Sequence, residues 1–282
     1  MSIKDLLLHL QTGETAQSTN EFAVSLAEQT GSHLTAAGVV IEIPPPASEL
    51  GSFAPDWDFS SFGIFTEIDE QRRVATEKAY EAFALSVPAS VQTEKVFIQS
   101  FQEQACDDFA RLARHFDFTI ISQGDPNTGQ DSRSILSSAL FTSGRPVFVI
   151  PTSHEGPAQL DNALVCWDGS AQAARALAEA LPLLVRAQKV EVVCVMSESE
   201  NRKNLPGFDI ARHLARHRIA ATLCDLTDAH DVGRAILTHA QDIGADYLVM
   251  GAYGHWRLGE LIFGGTTRKI LAAMQKPVFM AH

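Results

Sequence analysis

The sequence predicts an α/β protein that consists of two tandem open sheets of parallel strands. Three observations lead to this class: the chain has 282 residues, the length of about two domains; it repeats itself; and each repeat alternates apolar runs with helical patterns. Continuous apolar runs are typical of parallel strands that are covered on both faces. We therefore expect two domains, residues 1–152 and residues 158–282.

The internal repeat is visible at both ends of the two halves. Residues 146–148 and 277–279 are both Pro-Val-Phe, 131 positions apart, and residues 117–122 match residues 246–251 at a distance of 129. The starts, residues 4–9 and 161–166, lie 157 positions apart. The first half therefore carries an insertion of roughly 28 residues relative to the second.

The insertion covers about residues 44–69. It is rich in Pro, Ser and Phe, and it contains five aromatic residues: Phe53, Trp57, Phe59, Phe62 and Phe65. This composition predicts a long loop that aromatic side chains anchor to its own domain. A lid over a ligand is the alternative, because long loops often carry function.

The second half gives the clearest order of elements. Strands are expected at 163–167, 190–196, 220–224, 247–250 and 277–280, with helices after Ser170 and over 206–218, 232–243 and 266–274. In open sheets of this kind, ligands lie beyond the carboxyl ends of the strands, where the strand order reverses. A binding site is therefore expected at that edge.

Charge and composition exclude several classes of function. The formal net charge is −12, so a broad basic surface for nucleic acid is not expected. Apolar runs are too short to span a bilayer, which predicts a soluble, cytoplasmic protein without a membrane partner. The four cysteines occur singly, as expected in a reducing compartment, and Cys166 and Cys194 fall in apolar runs that predict core packing.

A glycine-rich segment follows the strand at 247–250. Its glycines Gly251, Gly254 and Gly264 have the spacing Gly-x2-Gly-x9-Gly, and Gly264 to Thr267 open the final helix. A helix N-terminus with nearby glycines suits a phosphate, because unpaired N–H groups and a partial positive charge face it closely. The spacing matches neither a P-loop nor a dinucleotide fingerprint. A purely structural turn is the alternative for these glycines.

This spacing, with its flanks 245–250, 261–264 and 276–279, resembles the phosphate-binding motif of the universal stress protein family. The resemblance covers nearly the whole chain outside the insertion. It implies two Rossmann-like domains, similar to the adenine nucleotide alpha hydrolases, and a role in stress response or regulation. The implied ligand is an adenine nucleotide, ATP or AMP, with or without Mg²⁺.

The resemblance also implies roles for individual residues. Asp168 would accept hydrogen bonds from ribose or base, and Val195 and Met196 would touch the base. Independently of the resemblance, His255 lies beside Gly254 and is expected to donate a hydrogen bond to phosphate, with a surface-loop histidine as the alternative. Gly265 occupies the place of the motif's hydroxyl residue, so the N–H groups of Gly265 and Thr266 and the hydroxyl of Thr267 are expected near the phosphates. As an alternative, Asp168 caps the helix that begins near Ser170.

The first half has lost these glycines. Ser122 and Asp125 replace Gly251 and Gly254, and residues 133–135 replace Gly264. An aspartate is electrostatically adverse where a phosphate should pass, so the first domain is expected to be a degenerate copy. The resemblance implies that the domains pair through residues 146–150 and 277–280 as an internal pseudo-dimer, with a homodimer also open. A flexible linkage through residues 151–157 is the alternative.

Three functional hypotheses remain at this point. The first is nucleotide binding for regulation, with weak ATPase activity left open and no catalytic residue assigned. The second is an interaction or scaffold protein that acts through the insertion or the domain surfaces. The third is an adenylating enzyme, whose expected Ser-Gly-Gly-x-Asp-Ser loop is missing. His213 and His217 lie four apart on a helix without an evident third ligand, so no metal site is expected.

Overall fold

A computed structural model describes residues 2–13, 16–43, 60–124, 130–194, 209–226, 231–252 and 265–282, without the side chains of 60–65 and 130–131. The first half contains β1 (Asp5–Leu10), α1 (Ala16–Thr30), β2 (His33–Glu42), α2 (Ser60–Ser86), β3 (Thr93–Phe101), α3 (Gln102–Ala113), β4 (Phe118–Ser122), α4 (Gln130–Thr142) and β5 (Val147–Ile150). The second half contains β6 (Asn162–Trp167), α5 (Ala171–Leu184), β7 (Lys189–Cys194), α6 (Ile210–Arg216), β8 (Ala221–Asp225), α7 (Val232–Asp242), β9 (Tyr247–Gly251), α8 (Gly265–Ala273) and β10 (Val278–Ala281).

All ten strands belong to one sheet in the order β3-β2-β1-β4-β5-β10-β9-β6-β7-β8. The two halves have the same strand order, because β6 to β10 repeat the positions of β1 to β5. Neighbouring strands are parallel within each half. The predicted class, tandem α/β halves with parallel strands, is confirmed, although the strands of both halves form one continuous sheet and not two.

The halves join where β5 and β10 pair antiparallel. Val149 lies opposite Val278, and Phe148 lies opposite Phe279. The Phe148 and Phe279 rings pack edge to face with centroids 5.6 Å apart, and Phe118 and Tyr247 contact the same pair. The pairing through the last strands is therefore as predicted, and the sheet continues from one half to the other.

Helices cover both faces of this sheet and define two layers of core. α5 illustrates how the sequence determines a helix: the Ser170 side chain accepts the Ala173 N–H at 3.1 Å, which caps the first turn. Residues at helical spacing, among them Ala176, Leu177 and Ala180, are then buried against the sheet. Cys166 and Cys194 are buried as predicted, and all four cysteines are free thiols.

Part of the insertion differs from its prediction. Residues 60–69, expected within a loop, form the first turns of α2, whereas residues 44–59 lie outside the described residues. The prolines that predicted a loop end at Pro55, and nothing after it prevents a helix. Arg73 pairs with Glu70 at 2.6 Å and Glu77 at 2.8 Å, spacings that support the helix. In the described part of the chain, no helix is both long and apolar enough to cross a membrane.

Candidate functional site

The predicted site edge lies where β6 and β9 end side by side. Cys166 of β6 lies opposite Met250 of β9, so Asp168 and Gly251 follow at adjacent strand ends. The chain runs from β6 outward to β7 and β8, and then returns to the other side of β6 as β9. This is the point at which strand order reverses, where open α/β sheets bind their ligands.

Asp168 lies at the surface of this edge. Its Oδ1 accepts the Ser170 N–H at 2.9 Å, and Gly169 has a φ of 76° that suits the tight turn. The cap of α5 is the Ser170 side chain, so Asp168 shapes the turn ahead of the cap instead of acting as the cap residue. The carboxylate is exposed at the carboxyl end of β6.

Gly251 has a packing role that the sequence did not reveal. A Cβ atom at this position would lie 2.5 Å from the Ala173 backbone nitrogen and 2.7 Å from the Gln172 carbonyl carbon. Only glycine therefore lets the first turn of α5 approach the end of β9. This packing role does not depend on a ligand, and the close approach also brings the α5 N-terminus to the candidate site.

The first turn of α8 provides the candidate phosphate position. Gly265 is exposed, and no atom lies within 4 Å of where its Cβ would be. Thr266 is half-buried, but Thr267 is only 5% exposed, so its side chain belongs to the inner face of α8. The helix N-terminus thus presents backbone groups at Gly265 and Thr266 more openly than the Thr267 hydroxyl.

Contacts with α7 fix the position of α8. Lys269 Nζ lies 2.9 Å from Asp231 Oδ2, and Asp231 also accepts the Arg234 N–H at 3.2 Å as the N-cap of α7. The Lys269 hydrogen bond is the main cause that lowers the pKa of Asp231. Gly233 allows close packing, since a Cβ there would lie 3.1 Å from Lys269 Cβ. Both helices are therefore held together beside β9 and β10.

Five predicted site residues lie outside the described residues: Val195, Met196, Gly254, His255 and Gly264. The described neighbours show where their segments begin. Cys194 ends β7 opposite Trp167 of β6, and Ala252 follows β9 with its carbonyl 2.9 Å from His282 Nδ1. Both segments leave the sheet at the edge that carries Asp168.

The first half has a different set of contacts at the equivalent edge. Gln11 takes the place of Asp168 after β1, and its side-chain amide donates to Ser132 Oγ of α4 at 2.8 Å. Ser122, the counterpart of Gly251, is 1% exposed, and its Oγ accepts the Gly124 N–H at 3.4 Å. Asp125 lies outside the described residues. In the first half, polar side chains thus make hydrogen bonds within the domain, to a side chain and to the backbone, where the second half has an exposed carboxylate and a glycine.

A second polar cluster lies away from this edge. Glu191 of β7, Cys224 of β8 and His239 of α7 meet on the sheet face that α7 covers. The histidine pair that the sequence suggested as possible metal ligands, His213 and His217, is exposed, with ring centroids 4.9 Å apart. The sequence feature that could have indicated this cluster is Glu191, a charged residue among the apolar residues of strand β7.

Comparison with known proteins agrees with this architecture. Residues 160–282 match the model of the universal stress protein family. A universal stress protein from Archaeoglobus fulgidus DSM 4304 superimposes with a TM-score of 0.67 at 17% identity, over 98% of this chain and 97% of that one. A functionally unknown protein from Pseudomonas aeruginosa PAO1 has a TM-score of 0.55 at 14% identity, over 99% and 92%. No curated protein matches the chain.

The fold is that of a tandem α/β protein in which each half contributes five parallel strands, in a Rossmann-like arrangement, to one sheet with an antiparallel junction. The segment 160–282 belongs to the universal stress protein family, which confirms the resemblance of the second half. The first half has the same strand order, and the solved structures match across both halves.

Proposed function

We propose that the second half binds one adenine nucleotide, ATP or AMP, with or without Mg²⁺, for stress response or regulation. Two observations support this proposal: Asp168 and Gly251 follow adjacent strand ends at the reversal point of the sheet, and Gly265 in the first turn of α8, the helix before β10, is exposed. The family of residues 160–282 supports the same interpretation. We further propose that the protein acts in the cytoplasm.

Each part of the site suits one part of the ligand. The α8 N-terminus carries unpaired N–H groups and a partial positive charge, which favour the phosphates. The exposed Asp168 carboxylate accepts hydrogen bonds, as ribose hydroxyls or the adenine amino group require. We assign Gly254 and Gly264 to the phosphates from the glycine spacing and His255 to the phosphates from its place beside Gly254. The family resemblance assigns Val195 and Met196 to the base.

Gly265 offers a direct test by gain of function. It occupies the place of the motif's hydroxyl residue, and the open space around its Cβ position accommodates a larger side chain. We expect Gly265→Ser to tighten nucleotide binding about tenfold, because a hydroxyl would add a hydrogen bond to a charged phosphate. Calorimetric titration with ATP, ADP and AMP, with and without Mg²⁺, measures this change.

Asp168→Ala supplies the opposite test. We expect the affinity to fall about tenfold through the loss of a charged hydrogen-bond acceptor. The matched control is Gln11→Ala, which changes the equivalent position of the first half and should leave the affinity unchanged. If neither the wild type nor Gly265→Ser bound any nucleotide at millimolar concentration, the proposal would be wrong, and the interaction hypothesis would replace it.

A further inference from the structure

The cluster of Glu191, Cys224 and His239 is independent of the nucleotide site. Val193 of β7 lies opposite Cys224 of β8, and Glu191 shares the face of Val193 because alternate residues of a strand point the same way. α7 covers this face and contributes His239 from its last turn. Three separate elements therefore bring a carboxylate, a thiol and an imidazole to one place.

The distances between the three groups suit a common ligand. One donor atom from each residue lies within 4.8 Å of the other two, and His239 Nε2 is 2.5 Å from Glu191 Oε1. Zinc bonds of about 2.0 to 2.3 Å in a tetrahedral arrangement separate neighbouring donor atoms by roughly 3.4 to 3.6 Å. Small side-chain rotations are enough to reach that geometry from the present positions.

Burial of the carboxylate gives the cluster its electrostatic character. Glu191 is 7% exposed, and an ionised carboxylate in that position requires a cation. His239 faces Oε1, while Lys189 Nζ lies 3.9 Å from Oε2 with half of its side chain exposed. A divalent ion in place of the proton between Glu191 and His239 would satisfy the carboxylate, with Lys189 remaining on the outer oxygen.

A surface groove lies beside the cluster and includes His239 in its lining. The groove has a volume of about 460 Å³, and its lining includes Asp231, Arg234 and Asp242 of α7. Asp242 adds negative charge one turn beyond His239, which offsets the adverse charge of Arg234 for an incoming cation. Of the three donor residues, His239 belongs to the groove lining, so water reaches the cluster on the side of the imidazole.

The donor types select the ion. Thiolate and imidazole disfavour Mg²⁺ and Ca²⁺, which require oxygen ligands, whereas sulfur, nitrogen and oxygen together suit Zn²⁺. We propose that Glu191, Cys224 and His239 bind one Zn²⁺ with water in the fourth position. The ion would tie the edge strand β8 to β7 and α7, and binding would release the Cys224 thiol proton.

The test uses the full chain after treatment with a chelator. Zn²⁺ is titrated in competition with a chromophoric chelator, and Co²⁺ is used as a spectroscopic substitute. We expect one ion per chain, thiolate-to-cobalt charge-transfer absorption, and a higher melting temperature with Zn²⁺. Cys224→Ser and His239→Gln should each weaken binding at least 100-fold and remove the thermal shift.

Two matched control variants test whether the loss of Zn²⁺ binding is specific to the cluster. Cys106→Ser changes a half-buried thiol of the first half, and His213→Gln changes the exposed histidine pair; both should bind Zn²⁺ like the wild type. Circular dichroism verifies that each variant is folded. Absence of the charge-transfer band, unchanged affinity in Cys224→Ser, or loss of binding in His213→Gln would each overturn the assignment.

Discussion

The two halves of the molecule share a fold but differ at their carboxyl edges. Both have the same strand order, and they meet through equivalent strands, β5 and β10. At the edge, however, Gln11 bonds to Ser132 in the first half, whereas Asp168 is exposed beside Gly251 in the second. The fold depends on buried apolar strands, and the site depends on a few residues after the strands end. The edge can therefore change without loss of the sheet.

Equivalent positions of the two halves also differ within the core, where the fold is kept but the side chains are of different types. His9 of β1 corresponds to Cys166 of β6, and both are buried. Burial lowers the pKa of His9 to about 4 and, together with the Asp168 charge, raises the pKa of Cys166 to about 12. Both residues are therefore held neutral, but they make stability depend on opposite ends of the pH range.

The largest expected effect is the acid sensitivity that His9 confers. Its pKa is depressed in the folded state, so its stability contribution is full above the unfolded value of 6.5 and is lost as pH falls toward about 4. The shift corresponds to roughly 3 kcal/mol of unfolding free energy. His9→Cys, which copies the second half, should flatten the slope over that range in urea unfolding measured at several pH values.

Cys166 provides a control for that experiment, because its pKa is raised whereas the pKa of His9 is lowered. Its raised pKa means that its contribution is full below 9.0 and is lost as pH rises toward about 12. Cys166→Ala should therefore change the alkaline limb only. An acid limb that stays as steep in His9→Cys as in the wild type would show that His9 does not determine it.

The next effect tests the glycine that distinguishes the two edges. Gly251→Ala should destabilise the protein by about 2 kcal/mol, because the added Cβ would overlap the backbone at Gln172 and Ala173. Ser122→Ala, the matched change in the first half, removes a hydroxyl without adding volume and should cost less than about 1 kcal/mol. If the two variants lost the same unfolding free energy in thermal or urea unfolding, the contact between β9 and the first turn of α5 would not be unusually close.

The smallest effect concerns the junction, where Tyr247 corresponds to Phe118. Tyr247 is fully buried, and its hydroxyl has no hydrogen-bond partner among the residues that the structure describes. Burial raises the pKa of this phenol. Tyr247→Phe should stabilise the protein by about 1 kcal/mol, since an unsatisfied buried hydroxyl is removed. Phe118→Tyr is the reciprocal variant in the first half. A loss of stability in Tyr247→Phe would contradict this explanation.

Most of the fold was predictable because apolar runs and helical spacing report burial directly. The predicted strand at 247–250 and helix at 232–243 differ from β9 and α7 by one residue each. The insertion was harder, since proline and aromatic content suggested a loop as far as Asp69, whereas α2 begins at Ser60. Local composition does not indicate where a long helix starts when the residues after the last proline are compatible with a helix.

The candidate site was predictable only in part. Glycine spacing pointed to Gly251, and the resemblance to the universal stress protein family pointed to Asp168, but the contact between Gly251 and α5 depends on three-dimensional packing. The same limit applies to Glu191, Cys224 and His239, which are distant in sequence and lack a ligand spacing that a motif would contain. Register between strands, which sequence periodicity does not fix, brings them together.

The central claim is that the second half binds one nucleotide and the first half binds none. The most direct test is to count the nucleotides bound per chain and to assign them to one half. Native mass spectrometry and calorimetric titration with ATP and AMP should give one nucleotide per chain for the wild type. Gly265→Asp, which places a carboxylate at the α8 N-terminus, should abolish binding, and Ser134→Asp at the equivalent position of α4 should leave it intact. Two nucleotides per chain, or binding that survives Gly265→Asp but not Ser134→Asp, would contradict the assignment to the second half.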